Sequence, residues 1–381
     1  MSKFLSLFLM TLLGVFSLFG TSHGSSPFKD EKFPIVMYAV PATDENFSRM
    51  RDMGISYVHV YGLTAVPVNQ QSFENIQHYL DLAQKYGLKV MFDLNGKRLV
   101  PDGLEEMRSV VRRFKDHPAI GFWYLFDEPD NHNITVAQLK PFYDMVKQED
   151  PAKPVAVCHA WTANWHRFKD IQDILVHDIY PVTGAPFPQA KLDIQTKFTR
   201  GALKLNPTVI PALQFFNWQS IAKPGEATLR NYPVGELRYP NAQEFRYLIF
   251  STLAQGARGL AFYSFLRAEM TDPNWATQIA APVLRDVREF ADIIHQADSS
   301  TVYDEDNIIF TRWQVGAKEY VALVNVSNAS RELGSHPALQ PLKTSKLTAW
   351  KSNRTGLLRN QDGNLTIAME PWEIGIWEVT K

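Results

Sequence analysis

Apolar and polar positions alternate between two periods along most of this chain. Short apolar runs such as Ile35-Val-Met-Tyr38, Tyr57-Val-His-Val-Tyr61 and Leu88-Lys-Val-Met-Phe-Asp93 have the length and the β-branched and aromatic content of buried strands. Between them lie amphipathic stretches with helical spacing, near Asp44 to Met53, Phe73 to Tyr86 and Leu104 to Asp116. Gly87 follows the second of these at a C-cap position, and Thr135 precedes a fourth, running to Gln148, at an N-cap position. The strand pattern returns at Gly121 to Glu128, Pro154 to His159, Ile174 to Asp178, Thr208 to Gln214 and Gly259 to Tyr263. Further helices are expected near Leu192 to Leu205, Ala242 to Gln255 and Val283 to Gln296. Eight strand–helix units in roughly 260 residues predict an α/β fold, a closed (β/α)8 TIM barrel. A doubly wound open sheet would carry a glycine-rich turn after its first strand. Here that strand runs into Val40-Pro-Ala-Thr43, with no glycine.

The pattern changes after about Ser299. Asn307 to Trp313, Tyr320 to Asn325, Leu347 to Trp350, Leu365 to Met369 and Trp372 to Val379 read as short strands between turn residues, a small all-β sandwich domain. The expected organisation is a leader over residues 1–24, a barrel over 30–298 and a β-sandwich over 299–381. No Gly/Ser-rich linker separates the last two, so the sandwich is expected to pack on the barrel. Lys3 followed by the apolar run Phe4 to Gly20 and a small, polar exit has the form of a secretory signal peptide. That implies a secreted or periplasmic location, with an uncleaved anchor as the alternative; otherwise no stable membrane insertion is expected. Cys158 is the one cysteine, so no intrachain disulfide can form, and its apolar setting suggests a small buried hydrophobe.

A formal net charge of -1 gives no electrostatic footprint for nucleic acid, and a neutral substrate suits it better. In a parallel barrel the strand C-termini converge on one mouth, where chemistry is built. Read in order, those ends are Tyr38, Tyr61, Asp93 with Asn95, Asp127 with Glu128, His159, Asp178 with Tyr180, Gln214, and Tyr263. The fourth is the densest: an apolar run stops at Asp127-Glu-Pro-Asp130, and Pro129, lacking an N–H, ends the ladder. In an undistorted strand Asp127 and Glu128 point to opposite faces, so both could serve one site only if the strand end is bulged. For His159, no His-x-His or His-Glu-x-x-His spacing supports a metal site, and a hydrogen-bonding role is expected. No cofactor is implied. Trp123, Trp161, Trp165, Phe216 and Trp218 are candidate platforms for a sugar ring.

A barrel with Phe-Asp-Glu-Pro ending its fourth strand, Tyr263-Ser-Phe at the eighth and a trailing β-domain closed by Glu370-Pro-Trp-Glu-Ile-Gly-Ile-Trp-Glu378 resembles the (β/α)8 glycoside hydrolases whose acid/base glutamate ends strand four. The resemblance implies hydrolysis of O-glycosidic bonds of an oligo- or polysaccharide, with Glu128 as general acid/base. It breaks at strand seven. Retaining members place a nucleophilic glutamate there, whereas this chain has Gln214, and a neutral amide cannot form a glycosyl ester. Three accounts remain: Asp178 as nucleophile or base, a carboxylate from a later loop (Glu226, Glu236 or Glu269), or a carbohydrate-binding barrel without turnover. A metal-dependent barrel hydrolase of another bond is a further possibility. Asn217 to Pro240, rich in Pro, Gly and charge, is the expected specificity loop.

Overall fold

The computed structural model describes residues 27–28, 31–63, 68–94, 101–297, 299–334, 339, 342, 345–355, 357–361 and 364–380. The leader and Asn95 lie outside the described residues. Eight parallel strands close a barrel: Ile35–Met37, Tyr57–Val58, Lys89–Asp93, Ile120–Asp127, Val155–His159, Ile174–Asp178, Val209–Gln214 and Leu260–Tyr263. Each pairs with its neighbours in chain order, and the first pairs with the eighth through Ile35–Leu260, Val36–Ala261 and Met37–Phe262. These are numbered one to eight below. Helices Asp44–Asp52, Gln70–Lys85, Pro101–Phe114, Val136–Glu149, Asp193–Leu203, Ala242–Gln255 and Ala281–His295 form the outer layer. After strand five the outer layer is two 3-10 turns, Thr162–Arg167 and Lys169–Ile171, in place of a helix.

Alternation along the strands sorts the side chains into two cores. Val36, Met91, Phe122, Ala156, Ile174, Ile210 and Ala261 fill the barrel, and Phe92, Trp123, Val157 and Phe262 pack outward against the helices. Strand four breaks the alternation twice. Gly121 is an extra residue opposite Val90 and Met91, where an added Cβ would lie 2.2 Å from the Tyr57 ring, so only glycine fits. Leu125 is the second extra residue, between Tyr124 and Phe126 in the register with strand five. Trp123, Leu125 and Phe126 therefore all join the outer core, while Tyr124 stays inside. The bulge brings Asp127 back to the inner face.

From Ser299 the chain is antiparallel. A five-stranded sheet, in the order Ser299–Glu305, Ile308–Val315, Lys318–Asn325, Ile374–Thr380, Lys346–Ala349, accompanies a three-stranded one of Arg331–Glu332, Asn364–Met369 and Leu358–Gln361. Ile308, Phe310, Val321, Leu323, Ile367 and Trp377 form a core between them. The five-stranded sheet's other face packs on the barrel: Phe290 meets Trp313, Tyr320 and Trp350, and Tyr247 meets Trp372. As the absence of a flexible linker suggested, the sandwich is docked. Among the described residues no helix is long and apolar enough to cross a membrane.

Candidate active site

At the C-terminal mouth of the strands lies a cavity of about 510 Å³. Its lining combines carboxylates (Asp127, Glu128, Asp178), tyrosines (Tyr38, Tyr61, Tyr180, Tyr263), the indoles of Trp161 and Trp218, Cys158 and Arg230. Of the sequence-derived candidates it thus gathers Tyr38, Tyr61, Asp127, Glu128, Asp178, Tyr180 and Tyr263.

Two local distortions aim the acidic corner. The Leu125 bulge turns Asp127 inward, and Glu128 takes a left-handed backbone conformation with φ 53°, strained for a residue with a Cβ. The corner is held by Glu128 N–H donating to the Cys158 carbonyl (3.0 Å) and by Asn131 N–H donating to the Glu128 carbonyl (3.0 Å). Neighbouring carboxyl groups, which an unbroken strand would send to opposite faces, thereby line one cavity.

Their surroundings differ. Asp127 accepts the hydroxyls of Tyr124 (2.5 Å) and Tyr61 (3.1 Å). Burial raises its pKa, and the Tyr124 hydrogen bond works against that rise. Glu128 accepts from the Asn131 amide at 2.7 Å. Asp178, ending strand six, meets the Glu128 carboxyl directly. Burial, then the hydrogen bond to Glu128, push its pKa well above the usual carboxylate range. The negative charges of Glu128, Asp127 and Asp130 add to that rise, so the ionised form of Asp178 is disfavoured from several sides. Tyr38, Tyr61 and Tyr180 are raised far beyond the ordinary phenol value by burial, so these hydroxyls remain protonated donors.

The indole of Trp161, 59% exposed, is fixed at both ends: its backbone N–H donates to Asp130 (2.7 Å) and Nε1 donates to Asn131 Oδ1 (3.0 Å). Since Asn131 also holds Glu128, the aromatic wall and the carboxylate are positioned by one side chain. Tyr180 stacks on Tyr263 at 5.6 Å between ring centroids, and Trp218 carries the Arg230 guanidinium 3.7 Å above its ring centroid.

Three candidates at the predicted strand ends do not line the cavity. Asp93 is buried beside the loop after strand two, accepting the Gly62 N–H at 3.4 Å. His159 follows Cys158, which faces the barrel interior, and so points to the outer layer; there it pairs with Gln172 (2.9 Å) and packs on Phe168. Burial lowers its pKa, which suits the hydrogen-bonding role. Gln214 is fully buried and clamps two loops, donating to the Val182 (2.8 Å) and Phe216 (3.1 Å) carbonyls and accepting from Val182 N–H (2.9 Å). Nor do the later-loop carboxylates line the cavity. Glu226 caps its own turn at Lys223 and Glu269 takes a two-bonded Arg49, while Glu236 is absent from the lining. Of the aromatic candidates, Trp123 donates to Asp150 and Trp165 stacks on His177; Phe216 is buried beneath Trp218. Arg230 and Asn131 were not singled out from sequence. Arg230 reaches the cavity only through a hairpin, Thr228–Leu229 with Tyr232–Pro233, which the Pro/Gly-rich composition of that loop does not specify.

Fold and site define a (β/α)8 barrel with a carboxylate-lined mouth. The family model "Glycosyl hydrolases family 2, TIM barrel domain" matches residues 78–202, a segment holding Asp127, Glu128 and Asp178. No curated protein matches the chain by sequence. Similar solved structures include a protein described as a glycoside hydrolase (11% identity, 92% of this chain and 93% of that chain, TM-score 0.61). A family 5 glycoside hydrolase from Bacteroides vulgatus aligns over 92% of this chain and 90% of its own (12% identity, TM-score 0.59). An alpha-amylase from Geobacillus thermoleovorans, complexed with acarbose, aligns over 93% and 99% (9% identity, TM-score 0.58). The resemblance to (β/α)8 glycoside hydrolases is thus met by a family match over part of the barrel and by the fold across the chain.

Proposed function

We propose that this chain is an exported glycoside hydrolase whose catalytic pair is Glu128 and Asp178. The convergence of those two carboxyl groups on one cavity at the barrel mouth, each within hydrogen-bonding reach of the other, carries the proposal. As a sugar enters the cavity, the proton that the raised pKa favours on Asp178 passes along their hydrogen bond to Glu128. The carboxyls then part, and Asp178 is left ionised beside the anomeric carbon, where positive charge develops in the transition state. Glu128 then protonates the leaving glycosidic oxygen as the C–O bond breaks and Asp178 Oδ forms the ester to the anomeric carbon. In the second half Glu128 takes a proton from water, whose oxygen displaces Asp178. Retention is favoured because inversion needs carboxyls roughly 6.5–9.5 Å apart with a water between them, and retention about 5 Å. A pair that closes to contact is nearer the second.

Glu128→Gln is expected to lower turnover of an activated aryl glycoside by about 10²–10⁴-fold, the usual range for a lost general acid/base. With a slow 2-fluoro glycoside the label should appear on a peptide containing Asp178. An active wild type with unchanged Glu128→Gln turnover would overturn the assignment. A carbohydrate-binding barrel without turnover is the second reading, favoured by Gln214, which leaves strand seven no carboxylate to offer. Binding of glycans with no turnover of any would select it. Export is tested by sequencing the N-terminus of the mature protein, expected to start near residue 25; an intact Met1 excludes cleavage.

A further inference from the structure

Most arginines among the described residues are answered by an acid: Arg49 by Glu269, Arg200 by Asp304, Arg238 by Glu244, Arg246 by Asp286. Arg230, which lines the cavity, is not. Among the described residues it makes no ion pair or hydrogen bond, and its one specific contact is the face of Trp218. A guanidinium lying on a ring keeps its N–H edge free for a ligand. Partial burial, with no acid opposing it, lowers its pKa from the ordinary arginine value.

The placement is built rather than incidental. Arg230 and Asn231 form the hairpin turn with left-handed backbones, φ 55° and 67°. Tyr232, next in the chain, presses on the loop after strand six so closely that a Cβ on Gly184 would come within 2.5 Å of its ring. Arg238 N–H donates to Thr183, and the Arg238 guanidinium binds the Ala185 carbonyl while paired with buried Glu244. Trp218 is fixed by Nε1 donating to the Tyr180 carbonyl at 3.3 Å. The hairpin and its arginine are thus tied to the loop that follows Asp178.

We infer that Arg230 and Trp218 form a subsite for an acidic sugar, the guanidinium taking a ring carboxylate or sulfate ester while the cleaved bond lies at Glu128 and Asp178. This deepens the glycoside hydrolase proposal and rests on it, and it replaces the neutral substrate suggested by net charge. None of the cavity acids pairs with Arg230: Asp127 accepts two tyrosine hydroxyls, and Asp178 has the Glu128 carboxyl as its hydrogen-bond neighbour.

The test is binding of the full-length Glu128→Gln protein to a glycan panel of matched pairs. Uronate-containing oligosaccharides are set against their carboxyl-reduced forms and sulfated ones against their desulfated forms. The acidic member of a bound pair is expected to bind at least about tenfold more tightly, the scale of a charge-assisted hydrogen bond. The preference should fall as salt rises and collapse toward unity in Glu128→Gln/Arg230→Gln, with an unchanged melting temperature. Which pair shows it identifies carboxylate or sulfate. Equal binding within the bound pairs, or a preference that survives Arg230→Gln, overturns the inference while leaving hydrolysis open. Failure to bind any member, together with no turnover by the wild type, overturns both.

Discussion

Two aspartates sit in contrasting surroundings in this molecule. Asp286, on helix Ala281–His295 at the seam between barrel and sandwich, is fully answered. Arg246 Nη1 donates to one oxygen at 2.7 Å, Trp350 Nε1 to the other at 2.7 Å, and Ser352 Oγ to the first at 2.7 Å. Asp178, at the cavity, pairs with no cation among the described residues; there its close polar neighbour is another carboxyl, and Oδ1 has no donor. The first arrangement holds two domains in register. The second costs stability, and a carboxyl with a raised pKa at a strand mouth accords with the proton-transfer role proposed for Asp178.

The largest stability effect expected from this contrast is at the seam. Asp286→Ala strands Arg246 as a buried, unpaired cation and leaves the Trp350 and Ser352 donors without their acceptor, a loss of about 3–5 kcal/mol. Thermal melts should show it as a large fall in midpoint, and Arg246→Met on top of Asp286→Ala should recover part of it by removing the stranded charge. A double variant no better than the single would mean that the sandwich is held by Phe290 and its aromatic neighbours, with the ion pair incidental.

The barrel was legible because its cause is local: a parallel strand buried on both faces must be a short apolar run, and eight of them alternate with amphipathic helices everywhere but after the fifth. Asp178 and Gln214 stand at the ends of their strands as expected. The site was legible in type but only partly in membership. Strand-end position brings a residue to the mouth, yet whether its side chain enters depends on alternation, which places Cys158 inside and His159 out. It depends also on what the loops demand, since Gln214 is consumed by the Val182 and Phe216 backbone. The bulge at Leu125 that turns Asp127 inward had no glycine or proline to announce it. The pairing of Arg230 with Trp218 joins positions twelve residues apart through a turn whose geometry the sequence does not display.

Asp178→Asn should give a smaller effect of the opposite sign. The folded-state pKa of Asp178 is raised above the unfolded value of about 3.9. Between those two values the folded chain keeps a proton that the unfolded chain has released, so stability contributed at this position falls as pH rises above about 4. An asparagine cannot ionise and removes that loss. The variant is expected to melt close to wild type near pH 4 and above it at pH 7.5, by on the order of 1 kcal/mol, typical of a stabilising change at a functional position. Turnover should fall with it, because the proposed nucleophile is gone. Melting curves at the two pH values decide the matter. A variant less stable than wild type at pH 7.5 would mean that Asp178 is compensated in solution, as Asp286 is, and the proton placed on Asp178 in the catalytic proposal would be lost with it.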